Sequence, residues 1–256
     1  PNPPRQKPPP PTSTRFPYTT LFRSLGLPHM LKKLGREPSI VIGNSTIKSS
    51  KSAKNIGAFI DQHLDMKIHI SNITRASYHH LRNISHIRPN ITQDVAATLI
   101  HAFISSKLDN LNSLLVGLPD CTLKRLQMVQ NNAARLVLKK NKREHVTPML
   151  RQLHWLPVRA RIKFKVCLLT FKALNRIAPL YLSQLLTRYE PRRSLRSAGR
   201  GLLQQKVARL KRTGGRAFGV CAPEMWNSLP EPLRLCTDLE TFKAALKTYL
   251  FQKEYS

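Results

Sequence analysis

The chain has 256 residues, 41% of them hydrophobic, enough to bury a core in one large or two small domains and too apolar for a disordered polyelectrolyte. Its 43 Lys and Arg face 13 Asp and Glu, a formal net charge of +30, so a polyanion is the first partner to expect, nucleic acid ahead of an anionic membrane surface. The four cysteines form no C-x-x-C pair, which argues against a zinc site or a disulfide framework. No apolar run reaches the length of about 18 residues that spans a bilayer, so the expected compartment is cytoplasmic or nuclear.

Residues 1–38 are expected to be disordered. PNPPRQKPPPP can only be polyproline II or open chain. Phe16–Ser24, FPYTTLFRS, reads codon for codon as the sequencing adapter TTT CCC TAC ACG ACG CTC TTC CGA TCT, so residues 1 to about 24 are set aside as a gene-model artefact.

Residues 39–65 are the strand-like part. SIVIG, the turn residues Asn44-Ser45 and TIKSS read as a hairpin, and Ala53–Asp61 as a third short strand in which Gly57 marks a bulge or the close approach of a bound strand.

From residue 66 to 187 the spacing is helical. Met66, Ile70, Ile73, Ser77, Leu81 and Ile84 form one stripe, ending near Arg88-Pro89. Thr92 caps a second helix carrying Val95, Leu99, Phe103 and Ile104, with Leu108, Leu111 and Leu115 continuing after a bend. Thr122 opens a third, with Leu123, Leu126, Val129, Ala133 and Val137 inward and Lys124, Arg125 and Arg135 outward. That helix runs into a basic turn, Lys139-Lys140-Asn141-Lys142-Arg143, the expected form of a phosphate-contacting patch.

Thr147–Leu174 follows as a two-helix unit bent at His154-Trp155-Leu156-Pro157, with Thr147 as a cap and Pro157 opening the second helix. Ile162, Val166, Leu169 and Leu174 give that helix a core face, and Arg159, Arg161, Lys163 and Lys165 give it cationic margins. His154 is expected to pack at the bend rather than to act as an acid or base.

Between Arg188 and Arg216 lie ten basic residues against one acid, with four glycines, so residues 188–216 read as a basic loop around a strand, Leu202–Val207. Residues 217–256 return to helix. Trp226 is expected as a core anchor like Trp155, and Thr237-Asp238-Leu239-Glu240 as a capping box that opens the terminal helix. The fold class is therefore mainly α with a small β element near the N-terminus (α+β).

Catalytic signatures are missing. The acids form no adjacent pair, and no P-loop, G-x-S-x-G, H-E-x-x-H or G-x-G-x-x-G run occurs. Asp61 and Asp65 flank His63 at turn or helical spacing, which favours a structural role over metal binding. The chain alone is expected to have no enzymatic activity, no cofactor, no bound metal and no small-molecule substrate.

The blocks NIGAFID, SYHHLRNISHIRP, HAFISSKLDNLNSLLVGLP, LKRLQMVQNNAARLV, EHVTPMLRQLHWLPVRARIKFKVCLLTFKALNRIAPLYLSQLL, PRRSLRS and GGRAFGVCAPEMWNSLPEPLR, in this order, resemble the carboxy-terminal part of LINE-type, non-LTR retrotransposon reverse transcriptases. The resemblance covers about residues 39–256. It implies the edge of a truncated palm at 39–65, a helical thumb-like bundle at 66–187, the basic loop and a C-terminal helical tail. The family's Ala-Asp-Asp block, whose acids would hold Mg, would lie upstream of Ser39 and is not in this chain. Where relatives read Asp-Tyr-Cys-Asn, this chain has Asp109-Asn110-Leu111-Asn112.

The expectation is a catalytically incomplete RNA-directed DNA polymerase fragment that holds RNA or an RNA/DNA duplex by its phosphates. The contacting residues would be Lys139, Lys140, Lys142, Arg143, Arg192, Arg193, Arg196, Arg200, Lys211 and Arg212. The alternatives are a helical protein-interaction module and the non-functional product of a decayed repeat.

Overall fold

A computed structural model describes residues 39–48, 52–191, 199–208 and 214–256. The polyproline and adapter-like stretches expected to be disordered lie outside them. The described chain is mainly helical with a small antiparallel β element near its beginning, and it divides into two units at His69/Ile70.

The first unit holds two separate hairpins. β1 (Ser39–Ile42) pairs with β2 (Ser45–Lys48) in the register Ile42 opposite Ser45, so the turn is Gly43-Asn44, one residue earlier than expected, with Gly43 at φ +57°. Ala53–Asp61 is not one strand. β3 (Ser52–Asn55) folds back on β4 (Ala58–Asp61) around Ile56 (φ +46°) and Gly57 (φ +84°). Gly57 is thus not a bulge within one strand but the second residue of a two-residue turn that needs positive φ at both positions. Asp61 Oδ1 accepts from the amides of His63 and Asp65, and Asp65 Oδ1 from that of Lys67, so both acids shape the entry to the first helix.

α1 (Lys67–Ile87) buries the expected stripe from Ile70 to Ile84. Thr92 does cap α2 (Gln93–Ile100), its hydroxyl accepting from Val95 N at 3.3 Å. The buried residues here are Ala96, Ile100 and Ile104, while Val95 and Phe103 face solvent. A π turn, His101–Ser105, follows α2 and continues into α3 (Ser106–Asp109). Leu111, at φ +54°, then sends the chain into a 3-10 turn, Asn112–Leu115.

α4 (Asp120–Leu138) starts after Pro119, two residues before the expected Thr122, and buries the predicted inward side chains. α5 (Thr147–Gln152) includes Thr147, so that hydroxyl caps nothing; Val146 is the flanking residue. Pro157 likewise sits just outside α6 (Val158–Leu174), whose first amide, that of Val158, donates to Gln127 Oε1 at 2.9 Å. α6 is buried over much of its circumference, with Ala160, Ile162, Val166, Cys167, Thr170 and Phe171 all inside, because it packs against α4 as well as the C-terminal helices.

The remaining elements are short α7 (Leu180–Ser183), α8 (Phe218–Asn227), α9 (Glu231–Arg234) and α10 (Leu239–Tyr255). The cap of α10 is Asp238, which accepts from Thr241 N at 2.7 Å, one residue along from the expected Thr237 box. Phe171 of α6 and Phe242 of α10 stack at 4.3 Å, with Trp226 of α8 at 5.7 Å from Phe242, which makes Trp226 the core anchor expected of it. Leu202–Val207 is not a strand. Only Leu203 makes a bridge, to Arg188, and its side chain enters the Phe171–Trp226–Phe242 core. No helix among the described residues is long and apolar enough to cross a membrane.

Candidate nucleic-acid interface

The basic turn grows out of the end of α4. Lys139 adopts φ +51°, and the amide of Lys140 returns to Arg135 O at 2.9 Å, closing the last helical turn. Glu144 ties the basic turn together. Its carboxylate accepts from the Asn141 amide at 2.9 Å and pairs with Lys140 at 3.2 Å, while its carbonyl accepts from Arg135 Nη2 at 3.2 Å. The Asn141 amide first, then Lys140, hold its carboxyl below the usual range.

Beneath this turn, Arg88 is buried. Its guanidinium donates to Leu136 O (2.9 Å), Val137 O (2.7 Å) and Ile91 O (2.8 Å), so a cation satisfies the carboxyl end of α4 where the helix dipole favours one. The exposed side of α1 forms the opposite wall. Tyr78 and Ser85 lie seven residues apart on one face, and Asn132 of α4 donates to the Tyr78 hydroxyl at 3.1 Å. The result is an open groove of about 620 Å³ whose lining holds Arg88, Arg135, Lys139, Lys140 and Lys142 and, among the described residues, no acid.

Three of the predicted residues, Lys139, Lys140 and Lys142, therefore come together, and Arg143 is exposed on the same turn. Among the described residues Lys139, Lys142 and Arg143 have no carboxylate partner, whereas Lys140 is partly neutralised. Arg200 is not brought to this groove. It lines a different cavity, beside Arg188 and Arg234, and approaches Glu231 at 3.7 Å. Arg192, Arg193, Arg196, Lys211 and Arg212 lie outside the described residues. Sequence reasoning missed Tyr78, Arg88, Asn132 and Arg135; reading the polar face of α1 seven residues at a time would have found the first.

The expected cationic margin of α6 is mostly committed elsewhere. Arg161 donates to Asp109 Oδ2 at 2.7 Å and to Leu156 O at 2.8 Å, Arg159 pairs with Asp120, and Lys163 donates to Ser228 Oγ at 2.8 Å. Burial pushes the Lys163 ammonium below its ordinary pKa. His154, at φ +53°, is exposed and lays its ring 5.5 Å from that of Phe251. Among the described residues no three His, Cys, Asp or Glu side chains are placed to hold a metal ion.

Comparison with known proteins found no family model, no curated protein and no solved structure that matches the chain.

Proposed function

We propose that the chain is the duplex-holding, thumb-and-tail part of a LINE-type reverse transcriptase, binding RNA or an RNA/DNA duplex by its phosphates and lacking polymerase activity of its own. The observation that carries this reading is the cationic groove between α1 and the end of α4, which no acid lines among the described residues. Lys139 and Lys142 offer unneutralised ammonium groups at its edge, and Tyr78 adds an aromatic surface at its wall. Such a groove follows a backbone and reads little sequence. The absence of an adjacent Asp pair from the sequence is the ground for expecting no catalysis.

The test is titration of a labelled RNA/DNA duplex with the wild type and with the triple charge reversal Lys139→Glu, Lys142→Glu, Arg143→Glu. Binding should be lost in the variant while its helical circular dichroism is kept, and neither protein should extend a primer with Mg or Mn. Unchanged duplex affinity in the variant would refute the groove, and primer extension would refute the lack of catalysis.

A second reading, a helical module that docks on a protein, is favoured by one observation. Ile177, Leu180, Tyr181 and Leu185 around α7 are exposed, Leu180 at 72%. Leu180→Glu with Tyr181→Glu separates the two readings, because duplex binding through the groove should not change.

A further inference from the structure

The bend at Trp155 closes one side of a second cavity, of about 400 Å³, which is more enclosed than the groove beside Lys139. Trp155, Leu156, Phe164 and Leu168 make its walls apolar. His101, the first residue of the π turn, stands edge-on to Trp155 with ring centroids 5.3 Å apart, and such one-turn widenings recur at binding sites. The backbone at Trp155 is held by the Tyr255 hydroxyl, which donates to Trp155 O at 2.6 Å.

The polar groups converge with an excess of cations. Arg161 uses Nε and Nη1 on Leu156 O and Asp109, which leaves Nη2 without a partner among the described residues. Among the described residues Lys165 and Lys247 line the same space with no carboxylate partner, and Asp109 is its one acid. Partial desolvation, then Arg161 and Lys247, hold the His101 imidazole below its ordinary pKa in spite of Asp109. Asn112 is 3% exposed. Its Nδ2 reaches Asp109 Oδ1 only at 3.5 Å, and its buried Oδ1 has no hydrogen-bond partner among the described residues. A buried acceptor left unpaired calls for a donor.

We infer that this cavity binds one nucleotide whose base carries an amino group, the base against Phe164 and the exposed edge of the otherwise buried Trp155 with its amino group donating to Asn112, the phosphate toward Arg161, Lys165 and Lys247. An aliphatic anion would satisfy the cations but leave the Asn112 acceptor unpaired and the aromatic walls without a planar partner. An aromatic-walled pocket with a few fixed polar groups has the composition of a small-ligand site. The site stands on its own residues; only the choice between a free nucleotide and an unpaired residue of a held strand rests on the nucleic-acid reading.

The experiment follows the Trp155 indole and His101 ring resonances of the full chain during titration with AMP, IMP, inorganic phosphate, and RNA/DNA duplexes with blunt ends or a single unpaired adenosine. AMP should shift both resonances and bind about fivefold to tenfold more tightly than IMP, which lacks the amino group. Asn112→Leu, which removes the unpaired acceptor at similar volume, should erase that preference, and Lys247→Glu should weaken both nucleotides. An unpaired adenosine that reproduces the AMP shifts where a blunt duplex does not assigns the ligand to the strand; AMP shifts alone assign it to the free nucleotide. No shift with any nucleotide, equal shifts with inorganic phosphate, or an AMP preference that survives Asn112→Leu would overturn the inference. Blunt-duplex affinity in the same series reports on the groove separately.

Discussion

Asn227 clasps the peptide of Leu203 from both sides: Leu203 N donates to Asn227 Oδ1 at 2.9 Å, and Asn227 Nδ2 donates to Leu203 O at 2.8 Å. Beside it, Trp226 Nε1 donates to Gly201 O at 2.8 Å. Two consecutive side chains of α8 thus bind the 199–208 segment to the core, and the amide takes the place of a neighbouring strand. Asn227→Ala leaves both backbone groups of a buried residue unpaired and should cost roughly 2–4 kcal/mol in urea unfolding. Asn227→Asp keeps the acceptor but turns an oxygen toward Leu203 O, so it should not rescue.

Arg88 donates to three carbonyls, two of them at the close of α4, and lysine cannot reproduce its planar fork. Arg88→Met should destabilise the fold by about 3 kcal/mol, and Arg88→Lys should recover less than half of that. The check is chemical denaturation followed by circular dichroism.

At Gly117 the backbone has φ +67°, and a Cβ there would lie 2.8 Å from Arg216 Cγ. Arg216 donates to Val116 O at 2.9 Å and Leu114 O at 2.8 Å across that point. Gly117→Ala should therefore cost about 1–2 kcal/mol from the left-handed backbone alone and displace Arg216. Combining it with Arg216→Ala should give a total smaller than the sum of the two single costs.

The buried thiols make a prediction about alkali. Burial pushes Cys167 up to about 12 and Cys221 up to about 11, against 9.0 for an ordinary thiol. The folded state holds these protons more tightly than the unfolded one, so their contribution to stability is whole below pH 9 and is lost as pH rises toward 11 and 12. Stability measured by urea should fall over that window, and Cys167→Ala should flatten part of the fall. At pH 8, exposed Cys121 should react with a thiol reagent in the folded protein, and Cys167 only after unfolding.

These relationships also mark what the sequence makes legible. The α1 stripe is readable because Ile70 to Ile84 repeat at the helical period and face one core. α2 misleads because Val95 and Phe103 are as apolar as Ile100 and Ile104, and the π turn rotates the face between them. Gly57 is hard to place because Ile56 is not a residue one expects at positive φ. Leu202–Val207 has strand composition, but its pairing is replaced by Asn227, a contact 24 residues away that no local pattern encodes. In the same way Lys139–Arg143 is visible as a charge run, whereas Arg88 and Tyr78, which turn it into a groove, are joined to it only by the packing of α1 on α4.

The most direct measurement of the central claim is the salt dependence of duplex affinity. Phosphate neutralisation by about six or more side chains predicts that binding of an RNA/DNA duplex falls by about 10³-fold or more between about 50 and 200 mM salt, with a shallower slope in the Lys139→Glu, Lys142→Glu, Arg143→Glu variant. An affinity that barely changes over that range would contradict the account.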